Sequence, residues 1–319
     1  MPFTATPDGR YIQIEVKLQL TTGESSPEIF DITVEPADLP PVADAGPDQT
    51  AAAGADCRAT VTLDGTGSTD PDNNELNYIW NGPFGTVTGA QPEVILDKGT
   101  TGVILTVNDG RGGESNDQVL ITVVDATAPE MTGIPGPIVV EQAVCAGTTV
   151  ELGLPVVSDN CDDAPMVTSD QPAIFPLGTT VVTFTAVDAS GNISTATTTV
   201  RVVDTTPPSI SATADVTTIW SPNHKMVPVI ISAVSSDICE PAPVCRIVSV
   251  SSNEPTDGTG DGSTEADWEI TGDLTVNLRA ERNGKGDGRI YTIVVGCTDA
   301  SGNTSTTAVR VTVPKNSGR

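Results

Sequence analysis

The sequence predicts an all-β protein, a tandem array of immunoglobulin-like β-sandwich domains joined by short proline-rich linkers. Apolar and polar residues alternate in short segments, and none of these segments has a helical period. Gly (30 residues) and Pro (25) are frequent, as expected where turns separate short strands. About seven such segments fall in roughly every 80 to 110 residues, the pattern typical of immunoglobulin-like sandwiches. Because only 3% of the residues are aromatic, the cores must consist mainly of Val, Ile and Leu.

The chain is predicted to divide into four parts. Residues 1–38 contain two alternating segments within 10–35, which predict a β-hairpin. A lone hairpin is marginally stable, so it is either the remnant of a preceding sandwich or a pair of donor strands for another chain's sheet. Near-identical joints, Val-Asp-Ala-Thr-Ala-Pro and Val-Asp-Thr-Thr-Pro-Pro, then separate three sandwiches at 39–125, 126–204 and 205–319.

Composition excludes several function classes. A formal net charge of -27 disfavours nucleic acid and anionic membranes as partners. No apolar run reaches the roughly 20 residues of a membrane span. The single histidine, His224, excludes a multi-histidine metal centre, and no Gly-x-Ser-x-Gly nucleophile motif accompanies it. We therefore expect no enzyme, and a structural use for His224.

The six cysteines predict disulfides in an oxidising compartment, since none lies in a CxxC pair. This favours an extracellular or cell-surface protein, and residues 1–20 carry no export signal. Cys145 and Cys161 are the first predicted pair, because a bridge would close a loop of only about 15 residues.

Adjacent strand ends predict a second disulfide, between Cys245 and Cys297, with Cys239 and Cys297 as the alternative pair. Cys57 and one other cysteine are then left over. They are buried thiols, intermolecular partners, or a bridge between domains that fold back on each other.

Residues 42–125 carry Ala-Gly-Pro-Asp-Gln, Leu-Asp-Gly-Thr-Gly-Ser-Thr-Asp-Pro-Asp, Tyr-Ile-Trp and Val-Asn-Asp-Gly in order. Together these motifs resemble the PKD family of sandwich modules. The resemblance implies a non-catalytic extracellular domain with Trp80 in its core.

Residues 126–204 carry Ser-Asp-Asn-Cys-Asp, Phe-Pro-Leu-Gly-Thr-Thr-Val-Val and Ala-Val-Asp-Ala-Ser-Gly-Asn. This part resembles the hyalin-repeat (HYR) module, a family associated with cell-surface adhesion. Residues 205–319, with Trp-Ser-Pro-Asn-His-Lys-Met-Val-Pro-Val, resemble a longer module that often closes secreted bacterial multidomain proteins.

Acidic loops are the candidate metal sites, because Ca²⁺ takes six to eight oxygen ligands and is abundant outside cells. One loop holds Asp70, Asp72 and Asn74, but lacks the Gly and Glu of an EF-hand. A third loop, 257–267, also has a spacing close to that of a calcium loop, but its glycines suit a flexible hairpin tip and a solvated loop is the favoured interpretation. The joints offer a further set of acidic and amide residues: Asp125, Asp188, Asn192, Asp204, Asp299 and Asn303. Ordinary turns explain these loops too, with Asp capping backbone donors, so both interpretations stay open.

These observations favour a non-catalytic extracellular modular protein that acts as an adhesive stalk or structural surface element. Its partners would be other surface proteins, polysaccharide or copies of itself, and calcium is the candidate cofactor. One alternative is an accessory spacer or carbohydrate-binding tail of a secreted hydrolase. Another is a filament subunit that assembles by strand addition through residues 10–35.

Overall fold

The computed structural model of the protein describes residues 37–240, 242–256 and 266–316. The predicted hairpin at 10–35 and residues 257–265 of the third acidic loop lie outside this part. The described chain forms two compact units, one containing the chain up to Ala51 and Arg58–Val124, the other Ala52–Cys57 and the chain from Asp125 onward. Every regular element of the described residues is a β-strand, which confirms the all-β prediction.

Seven strands form the first unit, in a five-stranded sheet of order β1-β7-β6-β3-β4 and a two-stranded sheet β2-β5, with all pairs beyond β1 antiparallel. Their bounds are β1 Gln49–Ala52, β2 Arg58–Thr62, β3 Asn77–Gly82, β4 Gly85–Thr88, β5 Glu93–Asp97, β6 Gly99–Asn108 and β7 Glu114–Val124.

Alternate residues of β2, β5, β6 and β7 are buried, as a sandwich interior requires. Trp80 is fully buried on β3, as the PKD resemblance implied, and its indole N–H donates to the Gly89 carbonyl at 3.0 Å. Gly65 lies so close to Trp80 that a methyl group there would meet its ring at 3.0 Å. The glycine of the Leu-Asp-Gly-Thr-Gly motif therefore makes room for the core tryptophan.

The second unit begins with six strands in a two-stranded sheet β10-β8 and a four-stranded sheet β11-β12-β13-β9. Strand β9 runs parallel to β13, and the other pairs are antiparallel. The core of this part contains Phe175 and Phe184 with valines of β12 and β13. The strand bounds are β8 Glu130–Thr132, β9 Ile138–Glu141, β10 Val156–Ser158, β11 Met166–Ser169, β12 Gly178–Val187 and β13 Ile193–Val203.

The remaining seven strands form sheets β14-β15-β18-β17 and β16-β19-β20 around a separate core. Residues 126–204 and 205–319 thus have their own sheets and cores but lie in one compact unit, so the domain boundary near residue 204 remains a prediction. The strand bounds are β14 Ser209–Ala214, β15 Met226–Ser236, β16 Val244–Ser252, β17 Trp268–Gly272, β18 Thr275–Arg279, β19 Gly288–Thr298 and β20 Thr304–Pro314.

Candidate cation sites and disulfides

The turn between β12 and β13 has the Asp-Ala-Ser-Gly-Asn sequence, and its geometry follows from those residues. Asp188 Oδ1 accepts the backbone N–H groups of Ser190 (2.9 Å) and Asn192 (2.8 Å), while Gly191 takes a positive φ of 89°. The Asn192 side chain donates to Asp188 Oδ2 at 2.8 Å and to the Asp125 carbonyl at 3.2 Å. The turn therefore has the predicted capping geometry and also contacts the joint residue Asp125.

The turn between β19 and β20 repeats this arrangement. Asp299 Oδ1 accepts the Asn303 N–H at 2.8 Å, and Gly302 has φ 93°. The Asn303 side chain donates to Asp299 Oδ2 at 3.0 Å and to the Asp204 carbonyl at 3.1 Å. Each turn thus holds one aspartate beside the aspartate of the preceding joint.

A third aspartate completes each cluster. One carboxylate oxygen each of Asp125, Asp159 and Asp188 lie within 4.8 Å of one another, and Asp204, Asp237 and Asp299 form the same arrangement. We call these the first and second acidic trios. Two members of each trio are predicted from the sequence, whereas Asp159 and Asp237 are not. The signal was present, because Ser-Asp-x-Cys occurs both at 158–161 and at 236–239.

The first trio is largely buried, with Asp125 and Asp188 less than a tenth exposed. Burial would raise the pKa of Asp188, but hydrogen bonds from Asn192, Ser190 and Gly191 outweigh it and hold the pKa below its usual value. A carboxylate with a lowered pKa is ionised at neutral pH. The turn therefore presents a charged oxygen to its two acidic neighbours.

The donor set of each trio fits a calcium ion. Carboxylate oxygens are the ligands that Ca²⁺ prefers, and three carboxylates supply up to six of them. Asp159 Oδ1 already accepts the N–H of Cys161 at 2.8 Å, whereas its buried Oδ2 has no hydrogen-bond partner among the described residues. A buried acceptor without a hydrogen-bond partner lowers the stability of the fold, and a cation bound to Asp159 Oδ2 would offset this loss.

The loop of Asp70, Asp72 and Asn74 uses its side chains differently. Asp70 Oδ1 accepts the backbone N–H groups of Asp72 (2.8 Å) and Asn74 (3.0 Å), and Asp72 Oδ2 accepts the Leu39 N–H at 2.7 Å. Asn74 donates its side-chain amide to Asp38 at 2.8 Å. These groups stabilise a turn, and a calcium role for them remains a prediction.

Two disulfides are present, Cys57–Cys161 and Cys245–Cys297. The second is the pair chosen from the strand ends, and Cys245 and Cys297 lie opposite each other on β16 and β19. The predicted Cys145–Cys161 pair is wrong. Loop length favoured it, but the fold places Cys57 against Cys161 across a separation of 104 residues.

The remaining cysteines, Cys145 and Cys239, are thiols in the structure, and both are exposed. Desolvation by neighbouring groups, together with the adjacent Cys145 side chain, raises the pKa of Cys239 to about 11. Cys239 is therefore largely protonated at neutral pH.

A buried cluster of charged side chains is centred on Arg289, which lies on β19 in the part of the chain formed by the last seven strands. Arg289 is fully buried, with its guanidinium 2.6 Å from Asp267 Oδ2, 3.4 Å from Glu281 Oε1 and 3.2 Å from Glu254 Oε2. It also donates to the Tyr291 hydroxyl at 3.3 Å. Asp267, which the sequence placed in a solvated loop, is instead one of the most buried charged groups, so that interpretation is wrong for this residue.

Glu281 joins the same cluster to His224. His224 Nδ1 lies 3.2 Å from Glu281 Oε2, and the guanidinium of Arg279 lies 4.0 Å from that oxygen. The histidine side chain is about half exposed and has a positive φ of 62°. These contacts give His224 a structural partner.

The Asp267 carboxyl gives the folded chain a testable pH dependence. Burial, and a hydrogen bond with Glu281, raise its pKa to about 6, although Arg289 opposes the shift. Because the folded state holds this proton more tightly than the unfolded state does, the contribution to stability is full below about pH 4 and is lost as the pH rises through 6. We expect a loss on the order of 2 kcal/mol in the free energy of unfolding across this window.

Asp267→Asn tests this expectation, because the amide keeps the side chain's shape but cannot titrate. Denaturant unfolding between pH 4 and 6.5 should show a smaller slope of stability against pH in the variant. The exposed Asp273→Asn serves as the matched control and should keep the wild-type slope. An unchanged slope in Asp267→Asn would contradict the assignment.

Comparison with known proteins supports the modular reading of the chain. Residues 38–124 match the PKD domain family. Over 129 residues, the chain is 39% identical both to hyalin of Lytechinus variegatus and to hyalin of Strongylocentrotus purpuratus. Each match covers 38% of this chain, and 24% and 11% of the two hyalins respectively, so the chain spans a quarter or less of these curated relatives. The resemblance to PKD and hyalin modules is thus confirmed.

Among solved structures, the first four cadherin domains of protocadherin gamma B7 are similar at 14% identity. The match covers 86% of this chain and 76% of that one, with a TM-score of 0.33. This similarity is too distant to support a functional conclusion. The described residues contain no helix long and apolar enough to cross a membrane.

Proposed function

We propose that the chain is a non-catalytic extracellular segment of a modular adhesive protein, in which calcium ions at the two acidic trios stiffen the joints between successive modules. The observation that carries this proposal is the repetition of the trio. The same three aspartate positions recur with the same turn, 79 residues apart at the joint aspartates Asp125 and Asp204. If the two Asp-Ala-Ser-Gly-Asn turns had only a structural role, neither would need a third carboxylate from a separate chain segment at the same place.

The position of each trio explains what a cation would do. The joint aspartate, the hairpin-turn aspartate and the aspartate two residues before a cysteine come from three separate chain segments. An ion bound to all three fixes those segments to one another, and it also offsets the repulsion among three close negative charges. Stiff joints between modules are what an adhesive stalk or surface element requires.

Other features support an extracellular setting. Two disulfides are present, and disulfides persist in oxidising compartments. The hyalin similarity and the PKD match agree with an adhesive array, and partners of the kind such arrays use are surface proteins, polysaccharide or further copies of the chain. The large net negative charge favours a solvated surface and supports calcium uptake.

Calcium should therefore stabilise the chain. With a dissociation constant of about 0.1 mM, as in many extracellular modules, about 2 mM calcium would add about 1 to 2 kcal/mol per site to the free energy of unfolding. Differential scanning calorimetry with calcium and then with a chelator measures this shift. A midpoint that is indifferent to calcium would reject the stiffening role.

Isosteric variants locate the ions. Asp159→Asn and Asp237→Asn each remove one charge and keep a side-chain oxygen for the turn, so isothermal titration should lose one of two binding events in each variant. The exposed Asp170→Asn is the control, since Asp170 also accepts a backbone N–H, from Thr183 at 2.7 Å, but lies in neither trio. Loss of calcium binding in the control would contradict the assignment.

Adhesion is tested separately. Beads coated with the chain should aggregate, or should bind a surface polysaccharide or protein, in about 2 mM calcium and separate when a chelator is added. The two trio variants should reduce this binding and Asp170→Asn should not. Beads that bind nothing in calcium, although the ions are taken up, would leave the chain as a spacer and reject its adhesive role.

A further inference from the structure

The two cysteines outside the disulfides lie side by side. The Cys145 thiol donates to the carbonyl of Ile238, the residue directly before Cys239 in the chain, at 2.9 Å. The side chain of Gln142 donates both to Cys239 Sγ (3.3 Å) and to the Cys145 carbonyl (3.4 Å). Because Gln142 is only 7% exposed, its amide holds the two loops in register.

The chain places Cys239 where it places the bonded Cys161. Ser-Asp-Asn-Cys at 158–161 and Ser-Asp-Ile-Cys at 236–239 both begin at the last residue of a strand, β10 in the first case and β15 in the second. In each, the aspartate belongs to an acidic trio. Cys239 is therefore the counterpart of Cys161 in the next repeat.

The other cysteine of each pair also has a matching setting. The Cys57 N–H donates to the Gly54 carbonyl at 3.1 Å and closes a tight turn. Cys145 lies in a tight turn whose ends, Val144 and Gly147, exchange backbone hydrogen bonds of 3.0 and 2.8 Å. In both cases the residue before the second cysteine contacts this turn, through Asn160 to Gly54 (2.7 Å) in the first pair and through Ile238 to Cys145 in the second.

We propose that Cys145 and Cys239 form a third disulfide, the copy in the next repeat of Cys57–Cys161. The oxidant is a small-molecule disulfide such as oxidised glutathione. One cysteine thiolate attacks it, forms a mixed disulfide and releases one small thiol; the second cysteine then attacks the protein sulfur of that mixed disulfide and releases the other small thiol. Two protein thiols are oxidised, one small disulfide is reduced to two thiols, and the two cysteine protons end on those thiols.

With this third disulfide, the same covalent link would recur between successive predicted modules. Each bridge joins a turn early in one predicted module to the loop that carries a trio aspartate in the next. The exposed position of both thiols leaves them open to the oxidant. This inference does not depend on calcium binding, because it rests on the contacts of Cys145 and Cys239 and on their correspondence to Cys57 and Cys161.

The test is disulfide mapping of the full chain. The protein is equilibrated in a buffer of reduced and oxidised glutathione, alkylated with iodoacetamide under denaturing conditions, and digested for mass spectrometry. We expect a cross-linked peptide containing Cys145 and Cys239, with alkylation of these two residues reduced at least tenfold from the fully reduced sample. Full alkylation of both while the other two pairs are oxidised would overturn the proposal, as would glutathione adducts at both positions.

A variant provides the matched control. Cys145→Ser should leave Cys239 fully alkylated and the Cys57–Cys161 and Cys245–Cys297 peptides unchanged. Graded reduction of the wild-type chain gives an independent readout, because the exposed bridge should open before Cys245–Cys297, whose Cys297 is fully buried. A Cys145–Cys161 peptide in the wild type would also overturn the proposal, since it would break the repeat on which the pairing rests.

Discussion

Replacing Arg289 by methionine should lower the free energy of unfolding of the last core by about 3 to 5 kcal/mol, because it removes the cation from a buried ionic cluster. The side chain is fully buried and contacts three carboxylates, of Asp267, Glu281 and Glu254. Methionine fills much of the same volume, so the loss comes from the carboxylates left without their partner. Glu281 keeps His224 nearby, but Asp267 has no other ion-pair contact shown among the described residues.

Thermal unfolding measures this effect. A loss of this size in a compact unit of about 200 residues should lower its midpoint by about 6 °C or more. Arg310→Met, at an exposed position on the neighbouring strand β20, is the matched control and should change stability by no more than about 0.5 kcal/mol. Equal midpoints for the two variants would show that the buried cluster contributes little net stability. If Arg289→Met is destabilising as expected, replacing the carboxylates as well should recover part of the loss, because a fully apolar cluster needs no cation.

The strand pattern was readable from the sequence wherever one face of a strand is buried. Val103, Leu105 and Val107 alternate on β6 and are all buried, and Trp80 lies in the core as its motif implied. Arg289 was not predictable in this way. Arg289 lies on β19 directly after Gly288, and both residues are buried. Because buried and exposed residues do not alternate there, the sequence pattern does not predict a buried arginine.

The candidate sites were predictable in part, for a different physical reason. Asp188 and Asn192 lie in one hairpin turn, and local sequence determines such turns. The third aspartate of each trio and the partner of Cys161 come from distant chain segments. Loop-closure entropy favours short loops, but it describes the unfolded chain, and the folded chain places Cys145 next to Cys239 instead.

Replacing Cys57 and Cys161 together by serine should lower the free energy of unfolding of the second unit by about 4 to 5 kcal/mol. The bridge spans a sequence separation of 104 residues, and in the chain-entropy description a loop of about 100 residues is worth about 4.7 kcal/mol. Denaturant unfolding of the double variant and of the wild type measures the difference. A loss below about 1 kcal/mol would mean that the unfolded chain is already compact between these positions, since the entropic gain depends on its freedom.

The same variant should also weaken calcium binding at one trio and leave the other unchanged. Cys161 donates its backbone N–H to Asp159 Oδ1 at 2.8 Å, so the disulfide holds the loop that presents this carboxylate. Asp237 lies on a separate loop beside Cys239, which the double variant leaves intact. Titration with calcium should therefore show one weakened and one wild-type binding event. Equal weakening at both trios would indicate general destabilisation, whereas two unchanged events would show that Asp159 is positioned by its turn alone.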